Sequence, residues 1–128
     1  MNKLEKYLAK ATEEKVRKEV EVTIDGETWK VRELSMAELR ACEREADKND
    51  KFDWFRFNDA RIVKATEHDF EWHNVELLKA YKVKGKYDLP EKMFGHDKEG
   101  YASLLAAVDE VNRKVKTEEE TVEELKNS

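Results

Sequence analysis

Hydrophobic positions follow two rhythms along this chain, and the switches between them divide it into elements. Leu4, Tyr7, Leu8 and Ala11 recur at helical spacing, with Asn2 placed to cap and Glu5 three residues later. This predicts a helix over residues 2–17 whose short apolar stripe needs a partner to persist. A period of two then takes over in VEVTIDGETWKVRE. Val20, Val22 and Ile24 alternate with Glu21 and Thr23, and Trp29 and Val31 alternate with Lys30 and Arg32. Asp25-Gly26 separates the two runs, and glycine accepts a positive φ, so a β-hairpin is predicted over about 19–33. A lone hairpin is marginal in water, so its apolar face must pack on helices.

The helical rhythm returns after Leu34. Ser35 can cap and Glu38 can reach back to it, while Met36, Leu39, Cys42 and Ala46 form a stripe. Cys42 lies on that stripe, which favours a buried, inert thiol over a reactive one. The stretch DKNDKFDWFRFND interrupts the helix and crowds Phe52, Trp54, Phe55 and Phe57 among charges. Helical spacing resumes over 58–67, then EHDFEWHN (67–74) reads as an acidic connector. Val75, Leu77, Leu78 and Tyr81 mark a short helix that starts at Asn74 and ends before Gly85. Asp88 is placed to cap the next helix, with Pro90 in its first turn, Met93 and Phe94 inward, and Gly95 at its end. The longest helix is expected from about Asp97 to Lys114, with Tyr101, Leu104, Leu105, Val108, Val111 and Val115 on one face. These elements define an α+β, mostly α-helical fold: an N-terminal β-hairpin packed on a bundle of short amphipathic helices. Residues 1–115 are expected to form a single globular domain, and 116–128, KTEEETVEELKNS, an acidic flexible tail.

Composition narrows the function classes. The 128 residues suit one compact domain, and 43% of them are charged, so the core is lean and the exterior highly charged. The net charge is −5 with no basic block, which disfavours a nucleic-acid binder. No apolar run approaches ~20 residues, so no membrane span is expected. MNKLEKYLAK carries no apolar signal core, and the lone Cys42 suits a reducing cytoplasm.

Candidate chemistry concentrates in EHDFEWHN. His68, Glu71 and His73 could in principle serve a metal-dependent enzyme, but five-residue spacing turns the histidines apart on a helix, and two solvated histidines explain them as well. Ser35 is a helix cap, Ser103 sits beside Leu104 in a helix, and the four glycines form no phosphate loop. No catalytic residue, cofactor site or metal site is expected. The aromatics carry more. Trp54, Phe55, Phe57, Phe70 and Trp72 flank the helix predicted at 58–67 and either clamp it into the core or offer an apolar surface to a protein partner. Tyr81, Met93 and Phe94 join them as candidate partner contacts.

Three segments resemble the XkdN-like tail assembly chaperones of long-tailed phages and prophages of Gram-positive bacteria. VEVTIDGETWKVRELSMAELRA is similar to the family's N-terminal block, with Trp-x-Val-Arg-x-Leu leading into a capped acidic helix. ARIVKATEHDFEWHNVELLKAYKVKG matches a helix, an acidic connector and then Glu-Leu-x-x-x-Tyr, here Glu76, Leu77 and Tyr81. DLPEKMFGHDKEGYASLLAAVDEVN resembles Leu-x-x-x-Met followed by a Glu-x-x-x-Leu helix, in the neighbourhood of Leu89, Met93, Glu99, Ser103 and Leu104. The chain departs from the family in having His68-Asp69 where a proline is frequent, and Arg113-Lys114 where Gly-Phe is frequent.

The resemblance implies a role without catalysis in the bacterial host cytoplasm. Such chaperones bind the tape measure protein and keep it soluble while tail tube subunits are recruited, and they are expected to be absent from the mature virion. A programmed frameshift near the end of the gene often adds a C-terminal extension in this family, and EEETVEELKNS fits a frameshift-proximal terminus. Another minor structural or assembly protein of the virion is the alternative, and self-association stays open.

Overall fold

The computed structural model describes residues 1–113. The expected tail at 116–128 and Val115 lie outside these described residues. In order, the elements are α1 (Lys3–Ala11), β1 (Glu19–Ile24), β2 (Glu27–Arg32), α2 (Met36–Ala46), β3 (Asp47–Lys48), β4 (Lys51–Phe52), α3 (Trp54–Thr66), α4 (Val75–Ala80), a 3-10 turn (Lys86–Asp88), α5 (Leu89–Met93) and α6 (Lys98–Asn112). This is the α+β, mostly helical fold that the two rhythms predict.

The hairpin has the expected register, with Val20 opposite Val31 and Val22 opposite Trp29. Asp25 (φ 49°) and Gly26 (φ 79°) form its two-residue loop, both in the left-handed region that an Asp-Gly turn supplies. The apolar face of β1 packs on α6. Gly100, in the first turn of α6, makes the approach close: a Cβ there would stand 2.8 Å from Ile24 Cγ2. α3 is the central helix, touching α2, β2, α5, α6 and the 3-10 turn. Ile62, Val63 and Ala65 of α3 share the core with Val31, Trp72, Leu89, Leu104 and Val108.

Helix termini follow the sequence where a cap is written into it. Asn2 accepts from the Glu5 N–H at 2.8 Å, and Asn74 accepts from Leu77 at 3.0 Å. Ser35 and Glu38 form a reciprocal capping box at 3.2 and 2.9 Å. Burial acts to raise the Glu38 carboxyl, but the Ser35 backbone N–H, Arg17, the Ser35 hydroxyl and Arg32 together hold it below the ordinary carboxylate value.

Four expectations are corrected. The first helix ends at Ala11 rather than 17, because nothing packs on it: none of its residues is buried, and Val16 beyond it is fully solvated. The break after α2 contains a small second hairpin, β3–β4, turned by Asn49 (φ 51°) and Asp50 (φ 62°). α3 starts at Trp54 rather than 58, since the Asp53 carboxylate accepts from the N–H groups of Phe55 and Arg56. Asp88 caps no helix with its side chain; it accepts from the Gly85 N–H and from Arg56 instead, and α5 follows directly on the 3-10 turn.

Candidate functional site

The candidates named from the sequence separate into an enclosed group and an exposed one. Trp72 is fully buried, Phe94 nearly so, and Phe70 and Met93 pack against the same core. The Trp72 indole N–H donates to Thr66 Oγ1 at 2.8 Å, and the Thr66 hydroxyl donates to the Ile62 carbonyl at 2.6 Å. Phe70, Trp72 and Trp29 of β2 form a triangle of rings, with centroids 4.9 Å (Trp29–Phe70), 5.8 Å (Trp29–Trp72) and 4.8 Å (Phe70–Trp72) apart. Asp69 accepts from the Lys30 N–H at 3.0 Å, so the acidic connector is laced to the hairpin edge. Trp72 therefore has no surface to offer a partner; its ring fixes the connector.

The histidines stay outside this arrangement. His68 and His73 are both exposed, and His68 Nε2 lies 3.8 Å from Glu19 Oε2. Among the described residues no group of three or more His, Cys, Asp or Glu side chains could hold a metal ion. Cys42 is buried, and burial pushes its thiol up to about 11.

The exposed group sits at the start of α3. Asp53 caps the helix, and the two residues of its first turn, Trp54 (67% exposed) and Phe55 (82% exposed), project into solvent. Behind them Phe52 and Phe57 complete a cluster, with Phe52–Trp54, Phe52–Phe57 and Trp54–Phe57 centroids at 4.7, 5.3 and 5.9 Å. Arg61 lies over the Phe57 ring at 5.0 Å. A cleft of about 350 Å³ opens against Phe52, Trp54 and Phe57, with Glu43 and Asp47 beside it. Tyr81 is exposed at the end of α4.

Phe55 also belongs to a larger groove of about 660 Å³ between α3, α5 and the first turn of α6. Pro90, Phe94 and the Tyr101 ring supply the rest of its apolar surface, while Asp53, Glu91 and Lys98 give it a net acidic rim. Asp59 lines it too, although only 8% exposed. The Tyr101 hydroxyl donates to Asp59 Oδ1 at 2.6 Å. Burial pushes the Asp59 carboxyl up to about 6, and the Tyr101 hydrogen bond offsets only part of that. Burial likewise raises the Tyr101 hydroxyl above the usual phenol range, reinforced by Asp59. The guanidinium of Arg56, one turn before Asp59, is held by Glu45 at 2.6 Å and Asp88 at 2.5 Å. The groove is thus apolar, acid-rimmed and floored by a desolvated carboxyl, features suited to an amphipathic segment carrying a cation.

Sequence reasoning placed Phe55 and Phe94 among the candidates but missed Asp59, Glu91, Lys98 and the role of Tyr101. Asp59 had one available signal, a lone acid beside Ala60 within the apolar positions of a helix. Tyr101 was legible only as a stripe residue.

A hairpin packed on a bundle of short helices, with an exposed aromatic face beside an apolar groove, is the class of protein these features define. A profile for phage XkdN-like tail assembly chaperone proteins matches residues 4–126, and the chain belongs to that family. The crystal structure of the protein yqbn, a structural-genomics target, is similar with a TM-score of 0.57, covering 75% of this chain and 85% of that one. At 21% identity that likeness is one of fold. No curated protein matches the chain in sequence.

Proposed function

We propose that this tail assembly chaperone holds an amphipathic helical segment of the tape measure protein against the face formed by Trp54, Phe55 and the Phe55–Tyr101 groove. Phe57 supports that face from behind, against Trp54. The observation that carries the reading is Phe55, a residue 82% exposed beside an apolar groove and next to the solvated Trp54. A solvated aromatic pair next to a groove is the composition of a binding hot spot. The bound complex stays soluble through the charged exterior, net −5, and recruits tail tube subunits in the host cytoplasm before the chaperone leaves. The protein acts by binding and release, with no bond made or broken.

Co-expression with the tape measure protein of the same phage tests this. Wild-type chaperone should keep the tape measure protein soluble and co-purify with it, and Trp54→Ala/Phe55→Ala should lose the complex while remaining folded. A tape measure protein equally soluble with and without the chaperone sinks the reading. Mass spectrometry of purified virions should find the chaperone absent; its presence in finished particles marks a structural tail protein instead. The nucleotide sequence around codons 120–128 shows whether a slippery heptamer and an overlapping frame supply a longer form.

A further inference from the structure

The end of α2 carries an arrangement that its own helix disfavours. Glu43 and Asp47 stand four residues apart, and Asp47 is the C-terminal cap residue. Like charges at that spacing repel, and the negative end of the helix dipole opposes both carboxylates. Both residues are exposed. Among the described residues neither of them takes part in an ion pair. The arginines of α3 are committed elsewhere, Arg56 to Glu45 and Asp88, and Arg61 to Asp109.

The β3–β4 hairpin sets aromatic rings against this acidic corner. Asp47 is the register partner of Phe52, and the Asp53 N–H donates to the Ala46 carbonyl at 2.9 Å, so the chain returns to the end of α2 before α3 begins. Phe52, Trp54 and Phe57 then line the cleft of about 350 Å³ together with Glu43 and Asp47. Phe57 already takes a cation, the Arg61 guanidinium, whereas among the described residues none stands over Phe52 or Trp54. π faces beside unpaired carboxylates are the composition of a cation site. The ring packing selects the cation. Centroids only 4.7, 5.3 and 5.9 Å apart leave no cage between the rings for a compact ammonium. A planar guanidinium needs none: it stacks flat on the solvated Trp54 ring and turns its donors toward the carboxylates.

We propose that this cleft receives an arginine side chain of the bound client segment, stacked on Trp54 and charge-paired with Glu43 and Asp47. The carrier of that arginine rests on the proposed function, because Trp54 belongs both to the cleft and to the client face. Apolar contact at Phe55 supplies area, and the cleft supplies selectivity for a helix with an arginine at the edge of its stripe.

Nuclear magnetic resonance of the full chain tests the cleft without any client, with N-acetyl-arginine amide as the probe and its citrulline and lysine counterparts as controls. The arginine probe should shift the Trp54 indole N–H and the Glu43 and Asp47 amides saturably. Citrulline, which keeps the shape and loses the charge, should shift none of them, and lysine should bind about threefold more weakly or worse. Glu43→Gln/Asp47→Asn should weaken arginine binding about threefold or more and remove its salt dependence, while melting no lower than the wild type. Trp54→Leu keeps an apolar side chain and should abolish the preference for arginine over citrulline. Three results overturn the cleft: no saturable shift, an equal response to citrulline or lysine, or binding unaltered in Glu43→Gln/Asp47→Asn. Co-purification with the tape measure protein tests the carrier. A complex that forms equally well with Glu43→Gln/Asp47→Asn sinks the cleft's part in it and leaves the proposed function standing. A chain that binds the arginine probe yet holds no tape measure protein keeps the cation site, overturns its assignment to that client and sinks the proposed function.

Discussion

Trp72 and Thr66 form a buried pair in which the indole N–H donates to the threonine hydroxyl at 2.8 Å and both side chains are fully enclosed. The pair joins the end of α3 to the connector that follows it, and the Trp72 ring carries the contact onward to Trp29 of the hairpin. Thr66→Val would leave the indole N–H buried without an acceptor, at a cost of about 1–3 kcal/mol. Trp72→Ala removes the largest fully enclosed side chain and should cost about 3–5 kcal/mol. In Thr66→Val/Trp72→Phe both polar partners are gone, so the double variant should lose less than the sum of its single changes. Urea denaturation of the wild type, Thr66→Val, Trp72→Phe and the double variant decides; strict additivity would mean that the hydrogen bond contributes nothing.

The second hairpin offers a stabilising change. Asp50 sits at φ 62° in the β3–β4 turn, a conformation that costs an L side chain about 1 kcal/mol. Asp50→Gly converts the loop to Asn-Gly, the preferred pair for this geometry, and should gain about 0.5–1 kcal/mol. The reverse logic applies at Gly26, φ 79°, where a Cβ would meet no atom within 4 Å. Gly26→Ala should therefore destabilise by about 1 kcal/mol through backbone strain alone. Equal stability of either variant and the wild type in thermal melts would contradict the argument.

Cys42 provides a check on burial. Its thiol is pushed up to about 11 and lies in the α2–α3 contact, so a thiol reagent at neutral pH meets neither thiolate nor access. Labelling should be suppressed in the folded chain and rapid in urea, with a single equivalent incorporated. Fast labelling of the native protein would place the thiol at the surface.

The elements that could be read in the sequence are those whose signal is local. Asp25-Gly26 between alternating residues states a hairpin, and Ser35 with Glu38 states a helix start, because each needs only its neighbours. The start of α3 was harder: Asp53 caps it, yet the dense aromatics after it looked like an interruption. The α1 boundary failed for the opposite reason, since Lys and Glu sustain helical propensity to residue 17 but no packing supports it. The groove was the least legible feature. Asp53, Asp59, Glu91 and Tyr101 are distant in sequence, and only the crossing of α3, α5 and α6 brings them together. The aromatics announced importance without assigning sides: Trp72 went to the core and Phe55 to the surface, though both stand among charged residues.

Asp59 gives the chain a pH-dependent stability of defined sign. Burial raises its carboxyl from 3.8 to about 6, so the folded state retains a proton over a window in which the unfolded chain has lost it. The resulting stability is fully present below the unfolded value near 3.8 and is lost as the pH rises through about 6. A displacement of about two units corresponds to roughly 3 kcal/mol between those limits. Asp59→Asn keeps an oxygen for the Tyr101 hydroxyl but cannot ionise, so its stability should be flatter across this window and should exceed the wild type's above it. Tyr101→Phe removes a hydrogen bond that favours the carboxylate, so the wild-type decline should move to higher pH in that variant. Urea denaturation from about pH 4 to about pH 8 reads all three profiles. Parallel profiles for the wild type and Asp59→Asn would show that Asp59 titrates as an ordinary solvated carboxylate, and the groove would then lose its desolvated floor.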